Sequence, residues 1–227
     1  MISGESRIGR VLLAASRSYD PKLLAQPLIK RFNQIITGVD TPEARLDFLH
    51  SAGWYYEFNK MIYHATKHYD LKHQSSAVAA VAAVSPGASP ETNIKVIRAI
   101  LENKYNGTPL PALQAYPANI KTAYKILENG DVRLLNGQKV RDFYYSIISE
   151  GETDRCPIDR WAAREFPPYN KKIKVGNKKV WKEVDLNVTS YKKYQAKFQK
   201  AADDLGLYAA ELQAILWVAR RNDGNGE

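Results

Sequence analysis

Asp159 and Lys139 are the side chains best placed to do chemistry, and they stand 20 residues apart. A carboxylate held in place can stabilise a developing cation or activate a nucleophile. Asp159 follows Pro157-Ile158 and precedes Arg160-Trp161-Ala162-Ala163-Arg164, where a helix should start, and an Asp at that point is commonly the N-cap. A lysine attacks carbon only as the neutral amine, so its reference pKa of about 10.4 has to be lowered by burial or by neighbouring cations. Lys121, Arg141, Arg160 and Arg164 are the candidates for that role; without such surroundings Lys139 is a solvated helix lysine. Asn136-Gly137-Gln138 reads as a tight turn, and the amides that open the next helix can also hold a phosphate. His64 and His68 are four residues apart and could face one metal, but no Glu follows His64 as in H-E-x-x-H, so a place on the surface or at the core edge is expected. No metal and no cofactor are expected.

The elements that must position these residues are helical. Leu23, Leu24, Leu28, Ile29, Phe32 and Ile35 recur at three- and four-residue steps, with Pro21 to start the helix and Asp20 to cap it. Thr41-Pro42-Glu43 opens a second helix, and residues 54–69 form a third with Trp54, Phe58, Met61, Ile62 and Ala65 on one face. Residues 75–84 are rich in Ala and Val and uncharged, which marks a helix buried on all sides. Further helices are predicted over 91–103, 117–127, 139–148, 159–164, 191–205 (capped by Thr189 or Ser190) and 208–221, with a frayed end over 222–227. Residues 171–184 alternate lysines with Ile173, Val175, Val180 and Trp181 around Gly176-Asn177, the pattern of a short basic β-hairpin or an extended basic loop that could meet a DNA backbone.

Composition narrows the function classes. Lys and Arg number 33 against 24 Asp and Glu, so the formal charge is +9, and a polyanionic partner is favoured, nucleic acid ahead of an anionic membrane. One cysteine, Cys156, excludes an internal disulfide and a cysteine-held iron–sulfur cluster, and fits a reducing, cytoplasmic setting. The longest apolar run, over residues 77–84, is too short to span a bilayer, and the first 18 residues lack the apolar core of a secretion signal.

Four blocks in order carry a family likeness. Ala79-Ala80-Val81-Ala82-Ala83-Val84-Ser85-Pro86 is followed by Asn93; then come Tyr116, Asn119, Lys121 and Ala123 ahead of Ile126-Leu127; then Leu135-Asn136-Gly137-Gln138-Lys139-Val140; and last Pro157-Ile158-Asp159-Arg160-Trp161 with Arg164 five positions after the Asp. Together, over about residues 76–166, they resemble the helix-hairpin-helix DNA glycosylases of the endonuclease III-like kind. The last helix, with Glu211-Leu212-Gln213-Ala214-Ile215-Leu216-Trp217, is similar to that of phage-type members proposed to act on modified thymine. Two features depart from the family. Of the two glycines of the usual Leu-Pro-Gly-x-Gly hairpin only Gly137 remains, Leu135 standing at the first, and Arg141 and Asp142 replace small residues.

The resemblance implies an all-α chain of two helical lobes. One covers residues 76–166; the other combines 1–75 with 185–227; residues 167–184 connect them, and the cleft between the lobes would take DNA. It implies a DNA N-glycosylase that excises a damaged or modified base. Asp159 is then the catalytic carboxylate and Lys139 the amine of a Schiff-base lyase step. Asn136, Gly137, Gln138, Arg141, Arg160, Arg164 and Lys121 would contact DNA and its phosphates. Trp54, Tyr55, Tyr144 and Trp161 would wall the base pocket, with Tyr56 and Tyr145 as further aromatics. The alternatives are a DNA-binding module of the same fold with altered chemistry, or a phage enzyme of base hypermodification. A monomer is expected.

Overall fold

The chain is all-α apart from one hairpin: eleven α-helices, a 3-10 turn and a two-stranded antiparallel sheet are formed by the described residues. The computed structural model describes residues 6–224 apart from Lys72, Lys171 and Asn177. Lys171 and Asn177 of the expected hairpin, and residues 225–227 of the expected frayed end, therefore lie outside the described residues. In chain order the elements are α1 (Arg7–Arg17), α2 (Pro27–Thr37), α3 (Pro42–Ala52), α4 (Trp54–Thr66), α5 (Gln74–Val84), α6 (Pro90–Asn106), α7 (Pro117–Asn129) and the 3-10 turn (Val132–Leu134). Then follow α8 (Gln138–Ile148), α9 (Arg160–Ala163), β1 (Lys172–Val175), β2 (Lys178–Trp181), α10 (Val188–Leu205) and α11 (Ala209–Gly224).

The chain divides into two units, the first made of Met1–Trp54 with Gly151–Glu227 and the second of Tyr55–Glu150. The divisions fall elsewhere than at the expected residues 76 and 166. The physical reason is packing: Tyr55 and Phe58 of α4 lie against Phe143 of α8, with centroids 6.3 and 6.0 Å apart, so α4 joins the second unit. Helix α9 packs on α11, which takes Asp159 and the hairpin into the first.

In the second unit α5 is the core element. Every residue from Ser76 to Val84 is buried, and their small side chains let α6, α7 and α8 pack directly on it. Helix α7 stops at Gly130, whose φ of 72° forms a left-handed C-cap. The link to α8 then runs through the 3-10 turn, with Asp131 accepting from the Arg133 N–H, and through Leu135 and Gly137. Leu135 takes φ −64° and ψ 121° and buries its side chain, while Gly137 alone takes a positive φ, 81°. No atom lies within 4 Å of a Cβ built on Gly137, so backbone conformation, not space, is what requires glycine there.

In the first unit α11 is central, packed by α2, α3, α9 and α10. Glu211 is fully buried in it and is answered by Arg10 of α1, whose Nη2 lies 2.7 Å from Glu211 Oε1 and 2.7 Å from Glu152 Oε1. Burial lowers the Arg10 pKa, but hydrogen bonds to the two carboxylates outweigh it and hold the guanidinium above its ordinary value. Strands β1 and β2 pair in the register Lys172↔Trp181, Ile173↔Val180, Lys174↔Lys179 and Val175↔Lys178.

Several boundaries differ from the sequence reading. Helix α2 begins at Pro27 and not at Pro21, because a helix running from Pro21 would place Pro27 in its interior, where it lacks a donor and clashes with the preceding turn. Residues 21–25 form turns, and Asp20 accepts from the Lys22 N–H at 2.9 Å. Asn187 caps α10 in place of Thr189 or Ser190, its Oδ1 accepting from the Ser190 N–H at 2.8 Å. Helix α1, capped by Ser6, forms where the sequence reading predicts no helix. Arg10→Ala should lower folding stability by about 1.5–3 kcal/mol, because it removes the charged hydrogen bonds to buried Glu211 and leaves Arg7, 3.5 Å away, as the remaining cation. Arg133→Ala, which breaks an exposed pair with Asp131, should leave the urea midpoint where it was.

Candidate active site

Asp159 is built into place from both sides. Before it, Pro157 and Ile158 are buried, and the Ile158 N–H donates to the Tyr191 hydroxyl at 3.2 Å. After it comes the first turn of α9, whose Trp161 and Ala162 N–H groups both donate to Asp159 Oδ1 at 2.9 Å. The N-cap role is therefore real. The second oxygen does something a cap does not require: Oδ2 accepts the indole N–H of Trp217 in α11 at 2.9 Å. Three donors on two oxygens fix the orientation of a half-buried carboxylate, and about one lone-pair site, on Oδ2, remains for a further donor.

Aromatic rings and cations surround this carboxylate. Trp54 meets Trp217 edge-on at 5.1 Å, and the Arg221 guanidinium lies 4.6 Å from the Trp217 centroid. Arg164 stands 4.3 Å from the Trp161 ring centre and 4.9 Å from that of Trp181 in β2, so it joins α9 to the hairpin. Exposed Arg160 lies 5.3 Å from the Trp161 ring. Arg220 makes a bidentate pair with buried Glu165 at 2.8 and 2.9 Å. Of the expected site residues, then, Asp159, Arg160, Trp161, Arg164 and Trp54 gather in the first unit around α9 and Trp217.

The other candidates belong to the second unit. Asn136, Gly137, Gln138, Lys139 and Arg141 are exposed at the turn and first turns of α8, and Lys121 is exposed on α7. Gly137 supplies no side-chain cap, so the first amides of α8 stay available to an anion. Exposure leaves the Lys139 amine without the burial that an amine nucleophile uses. Gln138 donates to both oxygens of Asp142, at 2.9 and 3.0 Å, and Asp142 is fully buried. Tyr55 and Tyr144 are core side chains, 2% and 7% exposed. Burial raises the Tyr144 hydroxyl pKa, with Tyr145 adding to it and a hydrogen bond with Ser75 opposing it.

His64 and His68 are exposed and line an open concavity of about 770 Å³ with Tyr69, Arg98, Glu102 and Tyr105. No group of three His, Cys, Asp or Glu among the described residues is placed to hold a metal ion. None of the described helices is long and apolar enough to cross a membrane.

Two side chains that contact the candidate residues, Trp217 and Asp142, are not among the site residues read from the sequence. Trp217 falls just off the apolar face of Leu212, Ile215, Leu216 and Ala219, where an indole N–H needs an acceptor. That position was the available signal. Asp142 could be found only from its burial in α8, which periodicity does not reveal for a single acid.

The chain belongs to the DUF7178 family, a family of unknown function. The family's profile matches residues 29–224, which take in Asp159, Trp217, the hairpin and Lys139. No curated protein and no solved structure matches the chain. Helix α1, with Arg10, precedes the DUF7178 match.

The Asp159–Trp217 contact predicts an unusual coupling. Asp159→Asn keeps the oxygen that caps α9 but turns an amide N–H₂ toward the Trp217 N–H, which should cost about 1–3 kcal/mol. Adding Trp217→Phe removes that donor–donor clash. In thermal denaturation the double variant should be more stable than the sum of the two single losses; additive losses would show that the two side chains are not in contact.

Proposed function

We propose that this protein is a DNA N-glycosylase that releases a damaged or modified base by hydrolysis. The observation that carries the reading is the Asp159 carboxylate, held by the Trp161 and Ala162 amides and the Trp217 indole beside aromatic rings and arginines. Breaking the bond between C1′ and the base builds positive charge on the sugar. A carboxylate already held in place stabilises that charge without reorganising during the reaction. Water then forms the new C1′–O bond, its proton passes to Asp159, and the base leaves with the electrons of the broken C1′–N bond. Trp54 and Trp161 are the candidates to stack on an extruded base, and Arg160 and Arg164 to meet phosphate. The partner is DNA, the chain acts as a monomer, and its place is inside the cell.

Lys139 serves the lyase form of the reaction. Its amine would bond to C1′, expel the base and leave a Schiff base from which the strand is cut. A second reading, a DNA-binding module that has lost this chemistry, is favoured by one observation: both Asp159 oxygens already accept hydrogen bonds.

Duplexes carrying a panel of damaged and modified bases test the proposal. Base release is expected on at least one, falling at least about 100-fold in Asp159→Asn while duplex affinity is kept. Duplex binding without release from any substrate supports the binding module instead. Borohydride should trap a covalent adduct that Lys139→Ala abolishes if the lyase step operates; release without trapping assigns the attack to water.

A further inference from the structure

The net positive charge of the chain is not spread over it. Residues 171–200 hold ten lysines against Glu183 and Asp185, which is eight of the nine excess positive charges. The described ones among them form β1, β2, the link over residues 182–187 and the first part of α10, all in the first unit. The whole of β1 is exposed. On α10 the face carrying Tyr191, Tyr194, Phe198 and Ala201 is buried, which turns Lys192, Lys193 and Lys197 outward. Lys193 and Lys197 are a like-charge pair at i, i+4, an arrangement that opposes the helix unless an anion answers it. The side chains of Lys174, Lys182, Lys192 and Lys193 are exposed and have no hydrogen-bond or ion-pair partner among the described residues.

This basic surface has a fixed scaffold. The Trp181 ring of β2 has Arg164, Lys172 and Arg220 at 4.9, 5.4 and 5.5 Å from its centre, so the hairpin is held on α9 and α11. On the other side Phe166 stacks on Tyr194 of α10 at 4.5 Å and 7°, with Lys197 5.3 Å from the Phe166 ring. The hairpin and α10 are thus both fastened to residues 161–166, the segment that directly follows Asp159.

We propose that the β1–β2 hairpin and the outer face of α10 form one binding surface for the phosphate backbone of duplex DNA, independent of sequence. Lysine ammonium groups are point charges suited to phosphate, and a two-stranded ribbon is narrow enough to lie in the major groove. A membrane surface would use a free interfacial aromatic, and the one aromatic of the hairpin, Trp181, is occupied by three cations. The proposal rests on the reading of DNA as the partner and not on the chemistry at Asp159.

The test is fluorescence anisotropy of the full chain with an unmodified duplex over a salt series. The wild type should bind with a steep salt slope. Lys174→Ala/Lys182→Ala/Lys192→Ala/Lys193→Ala should lower the slope of log Kd against log salt by about 3.6, or about 0.9 for each lost contact, and weaken binding at least about tenfold at 0.1 M salt. Lys192→Glu/Lys193→Glu, confined to the solvent face of one helix, provides a second variant with the same expected direction, and circular dichroism shows that each is folded. A wild-type slope in folded variants overturns the proposal. So does a wild type that ignores the duplex or prefers vesicles of phosphatidylserine and phosphatidylcholine. Duplex binding with the expected slope, but no base release from any substrate, would sink the glycosylase reading and leave this surface standing.

Discussion

The arrangement around the candidate site depends on one carboxylate satisfying two parts of the chain at once. Helix α9 is only four residues long and has little stability of its own, since a single helical turn cannot offset the cost of nucleation. Asp159 supplies what it lacks: Oδ1 takes up its first free amides, and Oδ2 ties its start to Trp217 of α11. Because α11 is the central helix of its unit, that bond sets α9 on the most constrained element available. One turn along α11, Arg220 grips Glu165 beyond the end of α9 with a bidentate pair. The short helix is therefore clamped at both ends, and the rings and guanidinium groups it carries inherit that placement.

The clamp also explains how a strongly basic region stays ordered. Lysines crowded on a hairpin repel one another, and a two-stranded ribbon alone is marginal in water. Trp181 answers both problems: its ring face attracts Arg164, Lys172 and Arg220, and the same contacts fasten the ribbon to α9 and α11. Glu165 neutralises Arg220 within that group and leaves the outer lysines their charge.

Legibility in the sequence followed the physics of each signal. The buried α5 was plain because its small apolar residues leave no polar stripe, and α3 was plain because Thr41 and Pro42 mark its start by two independent means. At the candidate site the cap was legible: Asp159 is named for both chemistry and capping, and the cap is the role its hydrogen bonds display. The unit boundaries were not legible, because Phe143 meeting Tyr55 and Phe58 is a contact across more than 80 residues that local periodicity cannot encode. Helix α2 misled for a related reason: its apolar spacing continues through Pro27, and only the backbone cost of an interior proline decides where the helix begins. Trp217 was overlooked because its partner lies 58 residues away.

The two residues singled out by the sequence are unlike in how ready they are to act. Asp159 has its rotamer set by three hydrogen bonds, so most of the entropy of ordering it has been lost in folding. Lys139 is exposed on the first turn of α8, and ordering a free lysine side chain costs roughly 1.5–2 kcal/mol. An exposed amine is also well hydrated, and that hydration must be removed before attack. A reaction that uses Asp159 and water draws on what the fold has already organised. A reaction through Lys139 must meet the cost of ordering and drying the amine when substrate binds, so DNA itself would have to supply that free energy. Under the proposed glycosylase reading, hydrolysis would accordingly be the route that needs less ordering, and a lyase step would be conditional on bound DNA.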